Sequence, residues 1–234
     1  QFKPGDEVFG TAGGAFAEYA RASASKIVLK PAGLSFEQAA AVPVAALTAL
    51  QGLRDKGQIR PGQKVLINGA SGGVGTFAVQ IAKAFGAEVT GVCSSRNVNM
   101  VRSLGADDVV DYTQKNFTQD GRRYDLILDN VASHSFSEMM RVLTPQGLIV
   151  PNSGHAGMGY VFKAFLLSPF LRQLGSMYVA VPNGKDLMEL KEWIETGKVK
   201  PVIDRTYPLC ETPEAFHYLD KEHARGKVVI TVTE

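Results

Sequence analysis

The stretch "VLINGASGGVGTFAVQIAKAFGAEV" (Val65–Val89) passes from an apolar run through a burst of small residues into a helical repeat. Val65, Leu66 and Ile67 lie within Lys64–Asn68, a β-prone run of the length of a buried strand. Val74, Ala78, Ile81, Ala82 and Phe85 then recur at helical spacing, and Gly86 closes the element. Between the two, glycine is too dense for an ordinary strand or helix. The backbone must lie bare there.

The same rhythm continues downstream. Glu88–Cys93 reads as a second strand, with a helical segment around Asn97–Leu104. Asp108–Tyr112 and Asp125–Asp129 read as the third and fourth strands. A helix over His134–Leu143 is stopped by Pro145 and Gly147, followed by strands at Leu148–Pro151 and Ser176–Val181. Strands alternating with helices imply an α/β fold with a doubly wound parallel sheet covered on both faces. The flanks are unlike it. Upstream, Glu7–Phe9, Phe16–Tyr19 and Ile27–Leu29 are short β-like pieces between glycine and proline breaks, which fits an antiparallel fragment. Downstream come a helix at Lys185–Glu195, a strand near Val202–Tyr207, a helix across Thr212–Leu219 and a strand at Lys227–Val232. Pro213 stands at the first helical position, where its missing N–H costs nothing. The expected organisation is 1–47 and 183–234 as two parts of one lobe, with 48–182 as the sheet domain.

With 234 residues, 45% hydrophobic and 21% charged, the composition is that of a globular protein with a sizeable core. The balance of 25 Lys+Arg against 23 Asp+Glu, net +2, has no long run of one sign. Nucleic acid and anionic membranes are therefore not expected as main partners. The most apolar stretch, Ala39–Leu50, is too short to span a bilayer. Two cysteines, Cys93 and Cys210, form neither a disulfide framework nor a metal spacing, so a reducing, cytoplasmic setting is the expectation. No targeting segment precedes "KPGDEVFG", and the chain reads as starting inside a domain, which leaves an organelle open.

A bare bend between a strand and a helix N-terminus is where a dinucleotide pyrophosphate docks. Ser71, Gly72, Gly73, Val74 and Gly75 are the candidate contacts: Gly72 for close approach of the backbone, Gly75 for close packing of helix on strand. The helix end contributes roughly 0.3–1 kcal/mol per anionic contact. The first glycine of the usual G-x-G-x-x-G is Ala70 here, a departure. Past the second strand, an NAD site carries an acid for the ribose hydroxyls, yet Val89–Arg96 holds none. It holds Ser94, Ser95 and Arg96, whose hydroxyls and guanidinium suit a 2′-phosphate. NADPH is the expected coenzyme; the bland alternative makes Arg96 a solvated helix-start residue.

"NGASGGVGTFAVQIAKAFGAEVTGVCSSRN", "AAAVPVAALTAL" and "GDEVFG…GAFAEYA" together resemble the medium-chain dehydrogenase/reductase superfamily, most closely its zinc-free quinone oxidoreductase branch of the zeta-crystallin type. The resemblance covers essentially the whole chain. It implies a Rossmann domain beside a partial, mainly β, GroES-like catalytic lobe, with the N-terminal part of that lobe absent. It also implies cofactor contacts at Thr48 near the nicotinamide, at Tyr112 by the adenosine 2′-phosphate, at Asn130 and Val131 by the ribose, and at Asn152, Ser153 and Gly154 near the nicotinamide. Two fates stay open for Tyr112, coenzyme contact or half-buried core aromatic, and two for Thr48, coenzyme contact or helix-lining hydroxyl. Lys227, after Gly226, is either a positive charge for the coenzyme or a solvated lysine.

No metal site is expected. The chain passes from Gly10 straight to Thr11–Phe16 where alcohol dehydrogenases of the superfamily carry a cysteine lobe, and no Cys stands near Val44. The implied activity is hydride transfer from NADPH to a small apolar quinone or α,β-unsaturated carbonyl. The alternatives are an enoyl-thioester or 2-alkenal reductase, and a noncatalytic NADPH-binding module. No catalytic acid is assignable. "SMYVAV" (Ser176–Val181) is the expected edge of a homodimer. Gly154–Gly159 reads as a loop over the site, and Phe162, Phe165, Leu166, Leu167 and Phe170 as core, lid or interface.

Overall fold

The computed structural model describes residues 2–152, 166 and 171–232. Two compact units emerge, one from Gln1–Thr48 with Ala180–Glu234, the other from Ala49–Val179.

The second unit holds the sheet. Its strands are β3 (Lys64–Asn68), β4 (Glu88–Cys93), β5 (Asp108–Asp111), β6 (Tyr124–Asp129) and β7 (Leu143–Pro151). All pair in parallel, in the order β5-β4-β3-β6-β7. The chain therefore builds outward from β3 to one side, then returns to build outward on the other. Such a reversal leaves a crevice at the carboxyl ends of β3 and β6. Val65, Leu66 and Ile67 are fully buried, as expected for a strand covered on both faces, and each stabilises the core by about 1.5–3 kcal/mol. Helix α3 (Gly73–Ala84) follows β3 and buries Ala78, Ile81 and Ala82 of the expected stripe, while Val74 and Phe85 are only half-buried and Phe77, outside that stripe, is fully buried. Helices α4 (Val98–Ser103) and α5 (Phe136–Arg141) are shorter. Ser135 caps α5 through a reciprocal pairing with Glu138, so the helix starts two residues after His134. The doubly wound parallel sheet stands as expected, with β7 starting at Leu143 rather than Leu148.

Two expected strands do not form. Ser176–Val181 takes no strand pairing. Leu174 makes a single bridge to Ile149, and the chain then continues without regular structure, with Val179 and Val181 exposed. β-prone residues alone do not make a strand, because the ladder needs a partner edge that this segment leaves after one residue. Phe16–Tyr19 is likewise bent, not extended, with an isolated bridge between Gly13 and Arg21 outside it.

In the first unit, β1 (Val8–Gly10) and β2 (Ile27–Leu29) pair antiparallel. Helix α1 (Phe36–Ala41) starts at a Ser35–Gln38 capping box and is followed by α2 (Pro43–Gln51). Helix α6 (Gly184–Glu195) packs on β2, its first glycine close to Ser25 and Val28. Strands β8 (Ile203–Pro208) and β9 (Lys227–Thr231) are parallel, joined by α7 (Thr212–Lys221), which begins with Pro213 in its first turn. The Tyr218 hydroxyl of α7 donates to Asp204 at 2.6 Å, and the Arg205 guanidinium lies 4.2 Å from the Tyr218 ring. Both contacts tie the crossover helix to β8.

Candidate functional site

The bend after β3 is built almost without side chains. Gly69 takes φ +77°, and the Gly72 amide donates back to its carbonyl at 3.1 Å, closing a tight turn. A residue with a Cβ is strained in that left-handed region. The turn glycine missing at Ala70 is thus supplied one position earlier, by the Asn68-Gly69 dipeptide, which sequence reading passed over. Gly72 is the N-cap of α3 and offers no side chain to the first helical amides. The Thr76 amide donates to the Gly72 carbonyl at 2.9 Å as the helix begins.

The glycines at 72 and 75 have different reasons to be there. A Cβ on Gly75 would stand 2.0 Å from the Gly69 carbonyl oxygen and 2.8 Å from the Ala70 main chain. Only glycine lets α3 sit that close to the strand exit. A Cβ on Gly72 would meet nothing nearer than the Gly69 oxygen at 3.5 Å, so the space before it is open. An open, amide-lined helix start at the sheet's reversal point fits a pyrophosphate.

Strand register brings the other candidates to the same edge of the sheet. Asn68 lies opposite Val92, and Cys93 opposite Asp111. Ser94 precedes a single 3-10 turn, Ser95–Asn97, in which Ser95 and Arg96 are exposed. Tyr112 is 55% exposed and is no core aromatic. The Ser95 hydroxyl donates to Asp111 Oδ2 at 2.5 Å. The acid absent from the end of β4 arrives from the end of β5. Hydrogen bonds from Ser95, then Thr113, hold the Asp111 carboxyl below the usual carboxylate range.

On the other side of the crevice, Asp129 is fully buried. Its Oδ1 accepts from Asn68 Nδ2 at 2.8 Å and from the amides of Val131 (3.3 Å) and Ala132 (3.0 Å). Asn130 Nδ2 donates to the Asn68 carbonyl at 2.9 Å, and Asn152 Nδ2 donates to Asn130 Oδ1 at 2.7 Å. Asn68, Asn130 and Asn152 thus form a chain across β3, β6 and β7. Val131 is 46% exposed and closes against Gly69, where a Cβ would stand 2.6 Å from Val131 Cγ2. Ser133 Oγ and His134 Nδ1 lie 2.9 Å apart, and His134 Nε2 is 3.1 Å from Asn116 Oδ1, extending the polar edge. Asp129 and Asn68 as a buried pair were not foreseen. Their signal was a polar residue closing each strand directly after an apolar run, residues 65–67 and 126–128.

Thr48 belongs to the first unit, and its hydroxyl donates to the Val44 carbonyl at 2.7 Å. Lys227, also in that unit, is half-buried, and burial lowers its ammonium pKa. It is not a solvated lysine. Ser153, Gly154, the Gly154–Gly159 segment, Phe162, Phe165, Leu167 and Phe170 lie outside the described residues. Leu166 is 48% exposed. Among the described residues no group of three or more His, Cys, Asp and Glu could hold a metal. Among them, too, no helix is long and apolar enough to cross a membrane.

The zinc-binding dehydrogenase family matches over residues 104–230, more than half of the chain. A solved quinone oxidoreductase from Coxiella burnetii superposes with a TM-score of 0.87 at 30% identity, covering 100% of this chain and 74% of that one. The chain is a medium-chain dehydrogenase/reductase of the quinone oxidoreductase branch. This dehydrogenase/reductase is also 37% identical to the mitochondrial NAD(P)H oxidoreductase RTN4IP1 of Bos taurus over 99% of its length, and spans 65% of that relative. It is 33% identical to the chloroplastic NADPH-dependent alkenal/one oxidoreductase of Arabidopsis thaliana, over 97% of this chain and 58% of the relative. A nicotinamide coenzyme is the family's cofactor, and the glycine bend of this medium-chain dehydrogenase/reductase has the shape for one.

Proposed function

We propose that the protein is an NADPH-dependent reductase of quinones or α,β-unsaturated carbonyls that works without zinc. The carrying observation is the glycine-rich bend Gly69–Gly75, open before Gly72, at the reversal point of the sheet. Relatives whose names record NAD(P)H, quinone and alkenal/one oxidoreduction support the same reading.

When bound, the reduced nicotinamide supplies a hydride to an electron-poor carbon. The chain's own residues bind and orient. Gly72, Gly73, Val74 and Gly75 offer main-chain amides to the pyrophosphate. Asn130 and Val131 stand for the ribose contacts, and Asn152 continues that polar edge. Arg96 and Tyr112, both exposed at the ends of β4 and β5, hold the adenosine side, and Arg96 supplies the charge that favours a 2′-phosphate. Ser95 does not add to that preference, so selectivity for NADPH over NADH is narrow.

Titrating the protein with NADPH and NADH, then following NADPH oxidation with 9,10-phenanthrenequinone and a 2-enal, tests the reading. Turnover of either acceptor, unchanged by a chelator of divalent metals, is the expected result. Faster turnover of the enal supports the alkenal reductase alternative, which the Arabidopsis relative favours. Coenzyme binding with no oxidation by either acceptor leaves the noncatalytic module. A homodimer through Ser176–Val181 is part of the proposal, supported by the exposure of Val179 (88%) and Val181 (66%). Size-exclusion chromatography checks it.

A further inference from the structure

We propose that Asp111 limits the preference for the phosphorylated coenzyme by turning the Ser95 hydroxyl into a hydrogen-bond acceptor, an inference that rests on the coenzyme site assigned above. Three oxygen-bearing groups meet at the ends of β4 and β5. Ser95 Oγ donates to Asp111 Oδ2 at 2.5 Å, and Thr113 Oγ1 donates to Asp111 Oδ1 at 2.7 Å. The Thr113 amide adds a third donor to Oδ1 at 2.9 Å. Ser95 Oγ and Thr113 Oγ1 also lie 2.9 Å apart.

Counting protons decides what faces outward. An ionised carboxylate has none to give, and the two hydroxyls have one each. Three oxygen–oxygen contacts share two protons. The charge-assisted bonds to the carboxylate are the stronger, so both protons point at Asp111. Ser95 is left with lone pairs on its exposed side. Lone pairs accept from the 2′-hydroxyl of an unphosphorylated ribose. Toward a 2′-phosphate, which has acceptor oxygens and negative charge, they offer no bond, and the Asp111 charge behind them repels. Arg96 and Asp111 therefore act in opposition: one favours the phosphate, the other its absence.

Asp111→Asn reverses the polarity at Ser95. The Thr113 amide still needs an acceptor, which fixes the carboxamide oxygen toward Thr113. The carboxamide NH2 then faces Ser95 and donates to its oxygen, which releases the hydroxyl proton to Thr113 Oγ1 or to an incoming phosphate, the charged phosphate oxygen being the stronger acceptor. The charge is also gone. The NADPH-to-NADH affinity ratio is expected to rise roughly tenfold, mostly through tighter NADPH binding. Ser95→Ala, which removes the acceptor, is expected to weaken NADH several-fold and leave NADPH nearly unchanged.

Isothermal titration of the wild type, Arg96→Gln, Asp111→Asn and Ser95→Ala with both coenzymes provides the test, with circular dichroism to check folding. If the wild type binds neither coenzyme, or Arg96→Gln leaves NADPH affinity intact, the coenzyme-site reading and the inference fall together. If Arg96→Gln weakens NADPH while Asp111→Asn leaves the ratio unchanged or moves it toward NADH, the inference alone is overturned. Should Asp111→Asn not fold, Ser95→Ala decides: equal losses for both coenzymes overturn the inference, and a loss confined to NADH supports it.

Discussion

Asn68 and Asp129, the last residues of neighbouring parallel strands, are joined by a buried hydrogen bond of 2.8 Å at the point where the sheet reverses its winding. Asp129 also accepts the amides of Val131 and Ala132, so one carboxylate fixes both the strand pair and the loop leaving β6. Asp129→Ala would strand those donors without an acceptor. Each buried group left unpaired costs about 1–3 kcal/mol, so a loss of roughly 3–5 kcal/mol is expected in urea unfolding. Asp129→Asn keeps one acceptor oxygen, and its expected cost is about 1–2 kcal/mol. Equal stability of the alanine variant and the wild type would contradict this account.

Gly75 and Gly72 separate packing from ligand approach. Gly75→Ala drives a Cβ into the Gly69 carbonyl, and backbone cannot yield as a flexible side chain can. A clear drop in melting temperature is expected, together with loss of coenzyme binding. Gly72→Ala meets open space at a φ of −80° that alanine adopts readily. It should melt close to the wild type yet bind coenzyme about tenfold or more weakly, because the methyl occupies the approach to the amides. Thermal melts and coenzyme titration on the same two variants distinguish the roles.

These contrasts show where the sequence could be read and where it could not. Periodicity located the sheet strands and α3, because burial on both faces leaves apolar runs and a buried helix stripe. Gly72 and Gly75 were legible because motif spacing is local. Asp111 was not: its partner Ser95 is sixteen residues away, and only the β4–β5 register brings them together. Asp129 was hidden for the same reason, being sixty-one residues from Asn68. Ser176–Val181 failed in the opposite sense. Its composition favours a strand, but pairing is a property of two segments, and among the described residues after β7 the bridge to that strand is made at Leu174, before this segment begins.

Ala132 is held at φ +60°, in the left-handed region, by the two amide bonds to Asp129. That conformation costs a residue with a Cβ about 1–2 kcal/mol. Glycine removes the strain, and its greater unfolded-state freedom costs back about 0.5–1 kcal/mol. Ala132→Gly is therefore expected to stabilise the protein by roughly 0.5 kcal/mol, a rise of about 1–2 °C in melting temperature. Ala132→Val, with a branched Cβ, should be destabilising. A fall in melting temperature for the glycine variant would show that the left-handed turn is not strained.

Cys93 closes β4 with 1% of its surface exposed, and burial, with Asp111 adding a like charge, pushes its thiol up to about 11 from an ordinary 9.0. Because the folded state resists ionisation, this stabilising contribution is complete below pH 9 and is lost as pH rises toward 11, where the unfolded chain gains the thiolate first. About two units correspond to roughly 2–3 kcal/mol over that window. The difference in urea stability between wild type and Cys93→Ala should therefore shrink between pH 9 and 11, after allowing for the cavity the substitution leaves. Cys210 is exposed, so a thiol reagent at pH 8 should titrate one equivalent quickly and the second only at the rate of unfolding. Rapid reaction of both thiols in the native protein, or a stability difference flat across the alkaline range, would mean that Cys93 is not sealed in the sheet.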